Sequence, residues 1–218
     1  FCLLLLVYNE ILAQEYFVFR AKKIQATPDL VYQPGELLIR GSKIIRVGQD
    51  IEKPKKFKLV NWQDHEIYPG LISPGSSLGL AEINAIRPTR EDRAVGTHTP
   101  EIEAWTAVNP DSELIPVARA NGITHSLIVP MGGTISGISG LSSLSGWGIE
   151  EMAVKQKVAL HLWWPGQGLS IHTNNKSGKS IDEQVKDRNK TVYELDEFFN
   201  QAEACLLYTS PSPRDAYV

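Results

Sequence analysis

The first third of the chain alternates apolar and polar residues in the manner of β-strands. Between residues 17 and 60, Pro34-Gly35 marks a turn, and a hairpin follows it. The hairpin strands are predicted at residues 36–40 and 43–47, joined through Gly41-Ser42, a pair suited to a tight turn. The next apolar segment, FKLVNWQDHEIYPGLIS, predicts further strand. The pattern therefore indicates a β-rich N-terminal region.

The middle of the chain changes to a helical and then a buried pattern. Residues 82–110 are polar and predict a long loop with short helical pieces, in which His98 is expected to face solvent. A short helix follows, with an N-cap at Asp111 or Ser112 and a stop at Gly122. The apolar run at residues 123–130 predicts a strand buried on both faces. Strand, helix and strand in this order indicate a β-α-β arrangement and an α/β fold.

The last part of the pattern predicts a loop, a strand and a long helix. Residues 131–148 are rich in Gly and Ser and predict a loop that permits close backbone approach or mobility; a phosphate cradle of backbone N–H groups is the alternative. Residues 157–165 predict a strand. The helix begins after Ser180, and its apolar positions are Val185, Val192, Leu195, Phe199 and Ala202.

Both ends of the chain depart from this pattern. Residues 1–14 resemble the end of a secretory signal peptide, with cleavage after Ala13 or Gln14, which predicts a periplasmic or secreted protein. The apolar run at residues 1–8 is far too short to span a bilayer. Residues 205–218 switch to Ser and Pro and resemble a foreign tail. We expect the chain to be a fragment of a longer protein.

Charge and cysteine spacing exclude some classes of partner and site. The net charge is −3 with no basic block, so nucleic acid is not an expected partner. The basic, Pro-containing loop at residues 53–58 is expected to be a solvated connection. Cys2 and Cys205 lie at opposite ends of the chain in no metal-binding spacing. The partner that we expect is a small-molecule substrate or ligand. The sequence leaves the oligomeric state open.

The segment at residues 68–83, a short apolar strand followed by a Gly- and Ser-rich turn, carries the candidate chemistry. Residues 75–79 match the pattern G-x-S-x-G, in which Ser77 would be a nucleophile if a helix followed directly and an acid and a histidine came later. Pro88 makes the following segment a poor helix. Glu82 and Asp92 are candidate carboxylates close to this strand. The possible pocket residues are Ser73, Ser76, Glu82 and His161; the last of these is more often a hydrogen-bonded core residue than a ligand.

Three segments in this order resemble the amidohydrolase superfamily, closest to its imidazolonepropionase-like branch. They are the hairpin at residues 39–48, the opening strand and turn at 69–79, and the helix, strand and Gly-rich segment at 109–137. The resemblance covers residues 17–204. It implies part of a composite β-sandwich at residues 15–66 and the N-terminal part of a TIM-like (β/α)8 barrel at 67–204. It also implies hydrolysis of non-peptide C–N bonds, such as those of cyclic amides.

The resemblance also implies a divalent metal such as zinc, and here the sequence departs from the family. The two histidines that bind the metal in the family fall on Gly75 and Ser77, and the usual Asp falls on Ser73. Glycine has no ligating side chain, and a neutral hydroxyl is a poor substitute for imidazole. The metal-hydroxide mechanism is therefore not assigned to these residues, and the catalytic residues stay unknown. A non-catalytic binding or scaffold protein is the alternative function.

Overall fold

The computed structural model describes residues 15–83, 86–166, 169 and 179–209, without the side chains of Arg87 and Thr209. The predicted signal peptide at residues 1–14 lies outside these ranges. The described chain is mixed α/β and consists mostly of strands, which confirms the predicted fold class at this level. It divides into two compact units, Phe1–Gly70 and Leu71–Val218.

The first unit is a five-stranded sheet. Its central strand β1 pairs with β2 and β3 in antiparallel fashion and with β5 in parallel, and β3 pairs with β4. The hairpin predicted around Gly41 is confirmed, and this glycine has a positive φ of 58°. The strands are β1 Tyr16–Thr27, β2 Leu30–Tyr32, β3 Gly35–Arg40, β4 Lys43–Gly48 and β5 Lys58–Ile67.

The core of this unit follows from the strand pairing. Val18 lies opposite Leu38 in the register of β1 and β3, and both side chains are buried together with Ile51. A second cluster contains Ala21, Ile24 and Leu37. Alternate residues of a strand point to opposite faces. Apart from Ile51, which lies in the loop after β4, the buried residues of both clusters are apolar residues of strands.

A buried carboxylate joins the strands of the first unit to the loop after β4. Glu36 is 4% exposed and accepts hydrogen bonds from Arg20 Nε and Nη2 at 3.1 and 2.9 Å. Lys53 Nζ lies 2.6 Å from its other oxygen, and the Ile51 backbone N–H donates to that oxygen at 3.4 Å. Burial by itself raises the pKa of Glu36, but the hydrogen bonds from Lys53 and Arg20 outweigh it and lower that pKa.

The substitution Glu36→Gln should therefore destabilise the protein and flatten its response to acid. We expect a loss of about 2 kcal/mol at neutral pH, since the amide breaks charge-assisted hydrogen bonds to Arg20 and Lys53. A group with a lowered pKa in the folded state stabilises it above the unfolded pKa, and this stability is lost as pH falls through the folded value. Urea unfolding between neutral and acidic pH measures both effects. An equal acid dependence in the wild type and in Glu36→Gln would contradict the assignment.

The second unit contains a four-stranded sheet in the order β6-β7-β8-β9. β6 and β7 are parallel and are connected through α1, which confirms the predicted β-α-β arrangement. Short 3-10 turns at Arg87–Thr89 and Ala104–Ala107 interrupt the long loop, as predicted. The elements are β6 Leu71–Ser76, α1 Leu114–Ala120, β7 Ile123–Ile128, β8 Ile135–Ser143, α2 Ile149–Met152, β9 Ala153–Leu162 and α3 Ile181–Thr209.

The loop predicted for residues 131–148 is wrong, because β8 occupies its centre. Only residues 129–134 separate β7 from β8, and a parallel connection needs a dozen residues or more, so β8 runs antiparallel. Glycines are present in β8 because another segment crosses it closely. A Cβ at Gly137 would lie 2.6 Å from the Ile102 carbonyl oxygen, and one at Gly140 would lie 2.7 Å from Trp105 Cβ. The predicted close backbone approach is thus confirmed.

The buried serines of β8 satisfy their hydroxyl groups on neighbouring backbone. Ser136 donates to the Pro130 carbonyl at 3.0 Å and Ser139 to the Ala159 carbonyl at 3.3 Å. Ser142 donates at 3.2 Å to the carbonyl of the residue that follows it. These bonds offset the cost of burying polar groups. A serine-rich segment can therefore form a central strand.

The apolar core of the second unit lies between the sheet and α1. Its buried members are Leu80, Ala104, Val108, Ile115, Ile128, Leu144 and Met152. The two edge strands are open by comparison: Leu71 and Ile72 on β6 are each 62% exposed, and most of β9 is exposed. Within the described ranges, no helix is both long and apolar enough to cross a membrane.

The long helix α3 begins as the sequence predicts. The Glu183 backbone N–H donates to Ser180 Oγ at 3.3 Å, and the Ser180 N–H donates to Glu183 Oε2 at 2.8 Å, which is a capping box. Of the predicted apolar positions, Leu195 is buried whereas Phe199 is 45% exposed. The helix extends through residues 205–209, where the foreign tail was predicted to begin, and residues 210–218 lie outside the described structure.

Candidate functional site

Strand ends from across the second sheet meet along one edge. The parallel pair β6 and β7 ends at Ser76 and Ile128, which are register partners. β8 begins at the same edge and β9 ends there, because Ile135 pairs with Leu162. In open α/β sheets, ligands bind beyond the carboxyl ends of the parallel strands. We therefore place the candidate site at this edge.

Ser76 forms a close side-chain hydrogen bond at this edge. Its Oγ lies 2.7 Å from Ser126 Oγ on β7, and it also accepts the Leu78 backbone N–H at 3.2 Å. Ser126 is fully buried. The two hydroxyls therefore bond to each other across β6 and β7, and the Ser76 hydroxyl also bonds to the turn that follows β6. Ser73, another pocket candidate, is the register partner of Ser126 and is half-buried.

Gly75 and Ser77 do not fit the divalent metal that the family resemblance implies. Gly75 is exposed, and a Cβ built on it would meet only Val129 Cγ2, at an ordinary 3.5 Å. The backbone therefore accepts a side chain there, but this sequence supplies none. Ser77 is half-buried, and its carbonyl accepts the Leu80 N–H at 2.9 Å. Among the described residues, no three His, Cys, Asp or Glu side chains are grouped so as to hold an ion.

The G-x-S-x-G match does not form a nucleophile elbow in this structure. Residues 78–80 form a turn, and among the described residues the first helical ones after Ser77 are the 3-10 turn at Arg87–Thr89. An elbow needs a helix that starts directly after the nucleophile. Ser77 therefore lies on a hydrogen-bonded turn at the end of β6.

Glu82 lies just beyond this turn and belongs to its hydrogen-bond network. Its Oε1 accepts Asn109 Nδ2 at 3.4 Å, and its backbone N–H donates to the Thr89 carbonyl at 3.2 Å. The Asn109 N–H in turn donates to the Gly79 carbonyl at 2.8 Å. Glu82 thus ties the turn after β6 to the residues that precede α1.

His161 lies on β9, apart from the other pocket candidates. It pairs with Gly137 on β8, and β7 and β8 separate it from β6. Three strand spacings correspond to about 14 Å. The sequence predicted a hydrogen-bonded core histidine, and this is wrong for Nε2, which is buried and has no partner among the described residues. Burial lowers the pKa of His161, because removing the ring from water disfavours its charged form.

Asp92 and two arginines form a charged cluster beside the end of β7, and no pattern in the sequence singles out these arginines. Asp92 is 3% exposed and accepts two hydrogen bonds from Arg90, at 3.2 and 3.0 Å. Arg93 Nη2 lies 3.4 Å from the same carboxylate. Burial alone raises the pKa of Asp92, but these hydrogen bonds outweigh it and lower that pKa. The Met131 N–H donates to the Asp92 carbonyl at 2.6 Å, which holds this loop at the strand end.

His98 contradicts its expected exposure to solvent. Its Nε2 is buried without a partner in the described part of the chain, and its ring stacks on Phe198 of α3 at a centroid distance of 5.0 Å. A cleft of about 520 Å³ adjoins this contact. Phe198 was not among the predicted apolar positions of α3, which included its neighbour Phe199.

Comparison with protein-family models gave no match, and comparison with the sequences of curated proteins gave none. Among solved structures, the chain is similar to the crystal structure of an amidohydrolase from Thermotoga maritima MSB8. The TM-score is 0.72 at 19% sequence identity, over 88% of this chain and 49% of that one. This chain has an amidohydrolase-like fold. It spans about half the length of the solved structure.

Two glycines of the second unit should respond differently to the same substitution. Gly75→Ala should change the free energy of unfolding by less than about 0.5 kcal/mol, because the new Cβ meets only an ordinary contact. Gly137→Ala should cost about 2–3 kcal/mol, because Gly137 has a φ of +120° and the Cβ would collide with the Ile102 carbonyl. Thermal and urea unfolding measure the difference. Equal losses in the two variants would contradict the close crossing of β8 by residues 102–105.

Proposed function

We propose that this chain is part of an exported amidohydrolase-like protein that hydrolyses non-peptide C–N bonds, such as those of cyclic amides. The similarity to the Thermotoga maritima amidohydrolase carries the proposal, since it extends over 88% of the chain. The candidate site at the carboxyl ends of β6 and β7 agrees with where α/β folds bind ligands. The imidazolonepropionase-like branch is the subgroup that we propose.

We further propose the architecture that this activity would use. The five-stranded unit is part of a composite β-sandwich, and the second unit is the first part of a TIM-like barrel. The parallel β6-α1-β7 segment supports the barrel assignment, because such units build barrels of this class. The exposed apolar residues Leu71 and Ile72 agree with a β6 edge that further strands would cover.

The chemistry that we assign to these residues is binding rather than activation of water. Gly75 and Ser77 offer no imidazole or carboxylate, so they supply no ligand to a metal. The half-buried Ser77 hydroxyl is a neutral donor and acceptor suited to an amide N–H or C=O. Ser76, whose hydroxyl is held by Ser126, and Glu82, held by Asn109, fix the turn that presents it. Acid–base groups for hydrolysis would come from other parts of the protein.

A second function is a non-catalytic ligand-binding protein on the same fold. One observation favours it: Gly75 lies in a place that accepts a side chain, yet it has none. An enzyme that uses this strand end for metal chemistry would have a ligand there. The strand end instead carries neutral hydroxyls and an open glycine, which suit a bound molecule that does not react.

Activity of the full-length protein separates the two functions. We expect turnover of lactam and cyclic amide substrates that is unchanged within about 2-fold in Gly75→Ala, because that Cβ fits the site. Gly75→Trp should lower kcat/KM by about 100-fold, because a large side chain at the strand end displaces the substrate. Liquid chromatography of substrate and product measures both, alongside metal analysis of each preparation.

Three other outcomes of this experiment would each support a different function for the site. Saturable ligand binding that Gly75→Trp abolishes, without turnover in any preparation, would establish the non-catalytic function. Turnover that Gly75→Trp leaves intact would remove this strand end from the active site. Labelling of Ser77 by a fluorophosphonate probe would instead support a serine nucleophile, against the turn geometry at the end of β6.

Export predicts a processed N-terminus. We expect the mature protein in the periplasmic or secreted fraction to begin at Gln14 or Glu15, following cleavage after Ala13 or Gln14. N-terminal sequencing of the protein purified from its native cells measures this. Recovery from the cytoplasmic fraction with residues 1–14 retained would contradict export.

A further inference from the structure

The loop between β4 and β5 forms a charged surface that the proposed hydrolysis does not use. Its residues 53–58 have the sequence KPKKFK. They border a cleft of about 710 Å³ in the first unit, which we call the basic cleft. The basic cleft is lined by Glu15, Tyr16, Pro54, Lys55, Lys56, Phe57 and Lys58.

Two ammonium groups of the basic cleft are available for a ligand. Lys58 is paired, because its Nζ lies 2.8 Å from Glu15 Oε1. Lys55 and Lys56 line the cleft, and no ion-pair partner for either occurs within the described ranges. The lining therefore has three lysines against one carboxylate. This excess of positive charge is local, since the whole chain has a net charge of −3.

The structure holds this loop in place at both of its ends. Lys53 forms an ion pair with the buried carboxylate of Glu36, which Arg20 also engages. Ile51 is buried and donates its N–H to the same carboxylate. At the other end the chain enters β5 at Lys58, the register partner of Phe17 on β1. Lys55 and Lys56 are thus presented together at a fixed place on the sheet.

Aromatic rings are interleaved with these lysines. The Phe57 side chain is 38% exposed and lies directly after Lys55 and Lys56. Tyr16 lines the same cleft, and Lys58 Nζ lies 5.8 Å from the centroid of the Phe17 ring. Aromatic rings bind at the level of lipid headgroups, and lysine side chains extend along them towards phosphates. This combination favours a membrane–water interface over a purely polar partner such as an acidic peptide.

The exposed Lys55 and Lys56 side chains and the Phe57 ring beside them are together complementary to a surface that is both anionic and partly apolar. We propose that the basic cleft binds an anionic membrane surface, with lipid phosphates at Lys55 and Lys56 and the Phe57 ring at the interface. This binding is separate from the hydrolysis proposed above, and its test needs no turnover.

Co-sedimentation of the full-length protein with lipid vesicles tests this inference. The vesicles are phosphatidylcholine with and without phosphatidylglycerol. We expect tighter binding to the anionic vesicles, and weaker binding as salt is raised. The double variant Lys55→Glu/Lys56→Glu should bind anionic vesicles at least about 10-fold more weakly, and Phe57→Ser should also weaken binding.

The matched control reverses two other exposed lysines of the same unit. Lys22→Glu/Lys43→Glu changes the net charge by the same amount outside the basic cleft, so it should retain the binding of the wild type within about 2-fold. Circular dichroism of each variant checks its folding. Equal losses in the two double variants, or none in Lys55→Glu/Lys56→Glu, would overturn the proposal. Competition by polyglutamate with no effect of Phe57→Ser would overturn it in favour of an acidic peptide partner.

Discussion

The parallel pairing of β6 with β7 is the constraint on which the second unit depends. A parallel pair needs a long crossover, and here residues 77–122 supply it, with α1 at its end. This crossover brings Leu80, Val108 and Ile115 into one core with Ile128 of β7. It also places the turn after β6 beside the carboxyl end of β7. The candidate site exists at this edge because the two strands end together.

Small residues determine how the remaining strands complete the sheet. β8 follows β7 after too few residues for another crossover, so it returns antiparallel. Gly137 and Gly140 permit the segment at residues 102–105 to cross it at backbone distance. The buried hydroxyls of Ser136 and Ser139 donate hydrogen bonds to backbone carbonyl groups. β8, which pairs with the edge of β7 that faces away from β6, therefore consists of uncharged residues.

Each unit contains a buried carboxylate held between two cations. Glu36 lies between Arg20 and Lys53, and Asp92 lies between Arg90 and Arg93. In both places the carboxylate lies next to a loop rather than in the centre of the core. Removing one partner of such a group leaves a buried charge without compensation, so the loops are held firmly. In the first unit this presents the lysines of the basic cleft, and in the second it fixes the chain beside Met131.

The sequence by itself determined the elements whose pattern is local. The hairpin at Gly41, the cap at Ser180 and the β-α-β order depend on neighbouring residues, so they could be predicted and are confirmed. The lack of ligating side chains at Gly75 and Ser77 is likewise a property of the residues alone.

Tertiary structure decided the rest. The glycines and serines of β8 predict a loop from the sequence alone. In the structure, the small size of the glycines is required because residues 102–105, which are remote in sequence, cross the strand closely. The burial of His98, the separation of His161 from β6 and the charged cluster at Asp92 depend on contacts between remote segments, which no local pattern encodes.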